Sequence, residues 1–205
     1  MYEPVPEFRL PESTAGYLTD PLVLKAVDSL LDEDSSTLPS TLDSTELASY
    51  LRARAAALAV KYDTVIALEE LWRAIWGRLL GGWLCDAEWK EDRNPDHLWD
   101  EQAFWHRHLR SGYAFWTGIE LQRPSDDQMP CIRLYCSLLL TSDEEETELL
   151  EGKLAGFELT DEDHSWSSWM YQIDPCRIPV EQTVELSEMK AIADRIYQAV
   201  QEVTL

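Results

Sequence analysis

The residues best suited to chemistry are acids and lysines at Glu-x-Lys spacing. The pattern occurs three times, at Glu88-Trp89-Lys90, Glu151-Gly152-Lys153 and Glu188-Met189-Lys190. In a metal-dependent nuclease or hydrolase, an Asp and a Glu hold Mg²⁺ and a lysine orients the attacking water. Glu151 and Lys153 are the best placed, at an expected strand entry, with Asp143 as the second carboxylate. Against this stands composition, because a chain with 39 acids generates the pattern by chance. Such sites also want a mixed sheet with a crossover helix. A hydrolase built on Glu151 and Lys153 is therefore the alternative expectation, and an enzyme is the less favoured class.

Residues 143–151, DEEETELLE, raise a different possibility, with six acids in nine positions. Asp143, Glu144, Glu145, Glu146 and Glu148 resemble the first turns of a short helix, where the macrodipole favours negative charge. Carboxylates spaced along a helix and strand ends also imitate phosphate, and so fit a basic groove. Asp161, Glu162 and Asp163 form a second acidic group, expected in a solvated turn. They lack the alternating ligands, the glycine and the distant glutamate of an EF-hand loop.

The other chemistries fail on spacing. His97, His106, His108 and His164 form no metal-binding quartet, and no HExxH occurs. On an expected helix over 97–110, His106 and His108 would diverge by about 200°. There is no G-x-S-x-G, no P-loop and no G-x-G-x-x-G. Cys131 and Cys136 sit within an apolar strand as core thiols. Cys85 lies beside Asp86 and Glu88, where negative charge disfavours a thiolate. No cofactor and no metal are expected. Nine tryptophans serve mostly as core, with one or two as an anchor for a protein partner.

The net charge of −22 repels bare nucleic acid and anionic membrane. It is unevenly spread. Residues 41–82 carry five acids and five bases, whereas residues 113–205 carry 19 and six. Lysine is scarce, 5 against 12 arginines, which also suits a surface adapted to salt. The opening MYEPVPEF lacks a basic segment followed by an apolar run, and no stretch of 18 apolar residues exists. A soluble cytoplasmic protein with reduced thiols is expected.

The elements that position these groups follow from period and punctuation. Prolines at 4, 6 and 11 make residues 1–19 an extended N-terminal arm. Asp20-Pro21 starts a helix to about Leu31. Asp43-Ser44-Thr45-Glu46 opens the strongest helical pattern, one long helix over 44–80 or a hairpin meeting near Asp63, closed by Gly81-Gly82. After Ser111-Gly112 the period drops to 2. Strands are expected over 113–122, 131–140, 153–159 and 168–173, then an amphipathic helix from Ser187 to about Val203.

The expected fold class is α+β: N-terminal helices, a four-stranded antiparallel meander and a closing C-terminal helix. Residues 20–205 form one domain, helical over 20–111 and sheet over 112–205. The favoured function is a non-enzymatic acidic interaction or inhibitor protein. Asp143, Glu144, Glu145, Glu146, Glu148, Asp161, Glu162 and Asp163 would meet a basic protein partner, with no direct nucleic-acid or membrane contact. A third expectation is a homodimer formed through residues 44–80.

Overall fold

Asp43 starts the longest element. Its Oδ1 accepts from the Thr45 and Glu46 backbone N–H groups at 2.7 and 2.9 Å, and Glu46 Oε2 accepts from Asp43 N at 3.0 Å. This reciprocal capping box satisfies donors that a helix start leaves open. From it, α3 runs unbroken over Ser44–Trp72, so one helix forms, with no hairpin. Asp63 does not interrupt it, because it lies on the exposed side and accepts from Ser13 Oγ at 3.0 Å. Thr64 returns its hydroxyl to Val60 O at 2.9 Å. The helix then widens into a single π turn, Arg73–Gly77.

The structure is a computed structural model that describes residues 7–31, 42–81, 84–85, 105–110, 113–122, 130–141, 148–149, 152–153, 158–165, 168–179 and 183–204. The element order is β1 (Glu7–Arg9), α1 (Glu12–Thr19), α2 (Pro21–Leu31), α3 with its π turn, β2 (Leu84–Cys85), β3 (Trp105–Arg110), β4 (Tyr113–Gln122), β5 (Cys131–Thr141), β6 (Glu158–Ser165), β7 (Ser168–Pro179), β8 (Thr183–Glu185) and α4 (Leu186–Thr204). Helices and antiparallel sheets together make the α+β class.

Residues 1–19 are not simply an extended arm. Pro11 sits at the N-cap of α1, a helix entrance, where its missing N–H is no loss. Tyr17 and Leu18 are fully buried. Asp20 then accepts from Leu22 N at 2.8 Å and opens α2. A polar network ties α1, α2 and α3 together: Tyr17 Oη donates to Asp28 Oδ1 at 2.7 Å, and Lys61 Nζ lies 3.7 Å from the same oxygen. Lys61 is only 8% exposed, so its ammonium depends on that carboxylate.

The larger sheet has six antiparallel strands in the order β2-β3-β4-β5-β7-β6. This corrects the four-stranded meander: β7, not β6, pairs with β5, and β6 becomes the edge. The smaller sheet pairs β1 with β8, with Phe8 opposite Val184. Residues 105–110, expected as helix, are strand β3. The Ser111-Gly112 pair that reads as a helix stop equally suits a hairpin, and Arg110 faces Tyr113 across it. The expected strand at 153–159 moves to Glu158–Ser165, and that at 168–173 extends to Pro179.

The helices cover one face of the sheet. Trp72 Nε1 donates to Thr117 Oγ1 at 3.2 Å, and Trp76 Nε1 donates to Gly118 O at 3.3 Å. Trp76 meets Phe115 edge to face, with centroids 5.9 Å apart. Phe115, Ile119 and Leu121 of β4 join Ile132, Leu134, Cys136 and Leu138 of β5 in the core, together with Met189, Ile196 and Val200 of α4. Arg78 anchors α4 to the end of the π turn, 2.8 Å from Asp194. On the alternate register positions, Arg107 stacks over Trp116 at 5.2 Å, and Trp116 faces Ser137. Ser137 Oγ is buried with no hydrogen-bond partner among the described residues.

Four variants test this accounting. Asp28→Ala is expected to destabilise by about 2 kcal/mol, less than a fully buried pair because Asp28 stays partly exposed. Asp28→Leu combined with Lys61→Met should recover most of that loss in denaturant melts; equal losses in both would show that the ion pair is not the cause. Ser137→Ala removes an unsatisfied hydroxyl and should leave the melting temperature unchanged or higher. Thr117→Val orphans the Trp72 indole N–H and should cost about 1–2 kcal/mol. The opposite ranking of the last two would refute the assigned hydrogen bonding.

Candidate interaction surface

Asp161, Glu162 and Asp163 lie in strand β6, not in a turn. The register places them opposite Tyr171, Met170 and Trp169 of β7. Among the described residues β6 is the last strand of the six and pairs with β7 alone. Three consecutive acids therefore stand along a sheet edge, with their Cα atoms advancing by about 3.3–3.4 Å per residue. Glu158 begins the same strand, opposite Asp174. Like charges directly opposite each other weaken a sheet. The β1–β8 pairing repeats this, with Glu7 opposite Glu185.

The strand forms because β7 offers a backbone ladder, not because ELTDEDHS alternates apolar and polar. An edge strand needs no second partner, and charge there blocks pairing with a foreign strand. That explains why a segment with the composition of a turn extends the sheet. No sequence pattern would have located it, since the deciding partner is non-local.

The acidic run is only partly visible. Asp143, Glu144, Glu145 and Glu146 lie outside the described residues, as does Glu151. Glu148 is exposed, in a short helical segment with Leu149. The structure thus brings Asp161, Glu162 and Asp163 together on one edge, and gives no account of how the other group faces them. Lys153 is also helical, not at a strand entry, and its ammonium forms an ion pair with Glu202 of α4. Sequence reasoning missed that pairing, because the partners are far apart in the chain.

The remaining groups form no other assembled site. Among the described residues, no group of three or more His, Cys, Asp and Glu is arranged to hold a metal ion. His106 and His108 belong to a strand, at register positions opposite Thr117 and Phe115, which replaces the helical divergence. Cys131 and Cys136 are both thiols. A shallow depression lined by Arg9, Leu10, Pro11 and Glu12 is open to solvent and carries one charge of each sign. Among the described residues, no helix is long and apolar enough to cross a membrane.

Chemically, the β6 edge offers closely spaced carboxylates and a backbone ladder open on one side. Comparison with protein-family models, with curated proteins and with solved structures finds no match to this chain.

Proposed function

We propose that this chain is a non-enzymatic acidic interaction protein that binds a basic protein partner through its C-terminal carboxylates. The partner is one whose groove otherwise receives nucleic acid. The observation that carries this is the acidic β6 edge. Consecutive strand residues advance by about the same distance as successive phosphates along one strand of a duplex axis, roughly 3.4 Å. Residues alternate between the faces of a strand, so Asp161 and Asp163 fall on one face about 6.8 Å apart, two such steps, with Glu162 on the other face.

Electrostatics add support. Opposing Glu158 to Asp174 works against the sheet, so the acidity is not there for fold stability. Guarding the edge against aggregation would need only one or two charges. Residues 113–205 carry a net −13, from 19 acids and 6 bases, which steers a cationic partner toward this half. The hydrolase alternative gains no comparable support, since Lys153 is engaged by Glu202 at the protein surface.

The test is reversal of charge at Glu148, Asp161, Glu162 and Asp163, all to Lys. Proteins captured from the native host at low salt should be lost with this variant and should elute from the wild type as salt rises. Circular dichroism should show the fold intact. Recovery of the same proteins by both forms, or capture insensitive to salt, would overturn the proposal. A variant that aggregates yet still captures the same proteins would assign the acids to edge protection alone.

A further inference from the structure

We infer that two copies of this chain pair antiparallel through the outer face of α3, centred at the level of residue 57. On that face Leu51, Tyr62 and Ile66 are 52%, 47% and 53% exposed. With Ala48, Ala55 and Ala59, also exposed, they recur at spacings of three and four, which is one stripe of a helix. Alanines stand at its middle, 55 and 59, and at its N-terminal end, 48, with Leu51 on one side of the middle and Tyr62 and Ile66 on the other. That profile lets two helix axes approach closely at the centre while the ends interlock.

The occupant is a second copy because the stripe is complementary to itself. Reversed about residue 57, Ala48 meets Ile66 and Ala55 meets Ala59. Arg52 and Asp63 lie on the same flank of the stripe, at nearly equal distances from that centre. In a two-fold antiparallel pair each flank meets its own kind, so Arg52 of one copy stands beside Asp63 of the other, twice. A parallel pair would instead turn that flank toward the partner's opposite flank and leave Arg52 and Asp63 without each other. The groups are available: Asp63 accepts from Ser13 Oγ through Oδ2, leaving Oδ1, and Arg52 uses Nε on Ala48 O, leaving its terminal nitrogens.

Net charge selects the same face. The chain carries −22, so most approaches of two copies are repulsive. Residues 44–72 hold four acids and three bases, a net −1. Like-charged copies therefore approach at least cost along α3, whereas a basic partner is drawn to the acids of the other half. The inference is independent of the proposed function. The stripe is smaller than a standard interface of about 1,600 Å², so the pair is weak and depends on concentration.

The experiment is sedimentation velocity over a concentration series of the whole chain. The average mass should climb from 23.6 kDa toward twice that value. Arg52→Asp and Asp63→Arg should each raise the dissociation constant by about tenfold, and the two together should restore pairing. Ile66→Glu should abolish it. All three positions are exposed, and melting temperatures report whether each variant is folded. A folded wild type that stays monomeric up to its solubility limit overturns the inference. So does a dimer indifferent to Ile66→Glu, or a charge exchange that fails to restore pairing.

Discussion

Two indole N–H groups, those of Trp72 and Trp76, fix the long helix to the sheet. Each is buried, and each has its acceptor on β4, at Thr117 and at Gly118. A buried donor without an acceptor costs about 1–3 kcal/mol, so sliding α3 along the sheet breaks two bonds at once and separates Trp76 from Phe115. The remaining layers hang on this seat. Arg78, just past the π turn, holds α4 through Asp194. Farther back along α3, Lys61 holds α2 and α1 through Asp28 and Tyr17. The π turn begins just after Trp72, contains Trp76 and ends just before the Arg78 anchor, where one helix serves the sheet and α4 together. Wide turns of this kind arise where an extra residue must be fitted into a helix.

What was legible in the sequence was local. The Asp43–Glu46 capping box, the Asp20-Pro21 start and the spacing of Met189, Ile196 and Val200 each declare their element within a few residues. Strands β4 and β5 were also legible, because both are runs of apolar and aromatic residues flanked by turn residues. The edges were not. Trp105–Arg110 fits a helix as readily as a strand over six residues, and its pairing with Tyr113–Gln122 decided the matter. The order β5-β7-β6 is equally silent, since alternation says which face a residue occupies and nothing about which strand lies beside it. The prolines of residues 1–19 suggest extension, although Pro11 prepares a helix as easily, and over 12–19 a helix forms.

The same distinction governs the candidate surface. Asp161, Glu162 and Asp163 have the composition of a turn, and only β7 makes them a strand. Acid clusters in sequence and acid clusters in space are different objects. Here the first became a charged sheet edge. Lys153, half of a catalytic pattern on paper, pairs with Glu202 on α4, and Glu151 lies outside the described residues.

Acidity of this degree has two physical explanations that leave different traces. Adaptation to salt makes a surface acidic everywhere, because its purpose is hydration and solubility. Use against a cationic partner concentrates charge where the partner docks and leaves the rest near balance. The 29-residue helix α3 carries four acids and three bases, with Glu46, Arg52, Asp63 and Glu70 exposed, and is almost neutral. A uniform pressure for negative charge would not spare the longest exposed helix while setting Glu158 against Asp174 in a sheet. The partition of charge therefore favours a surface made for an encounter over a surface made for a solvent. The two proposals draw on separate parts of that partition: the basic partner on the acidic edge, the second copy on the nearly neutral helix.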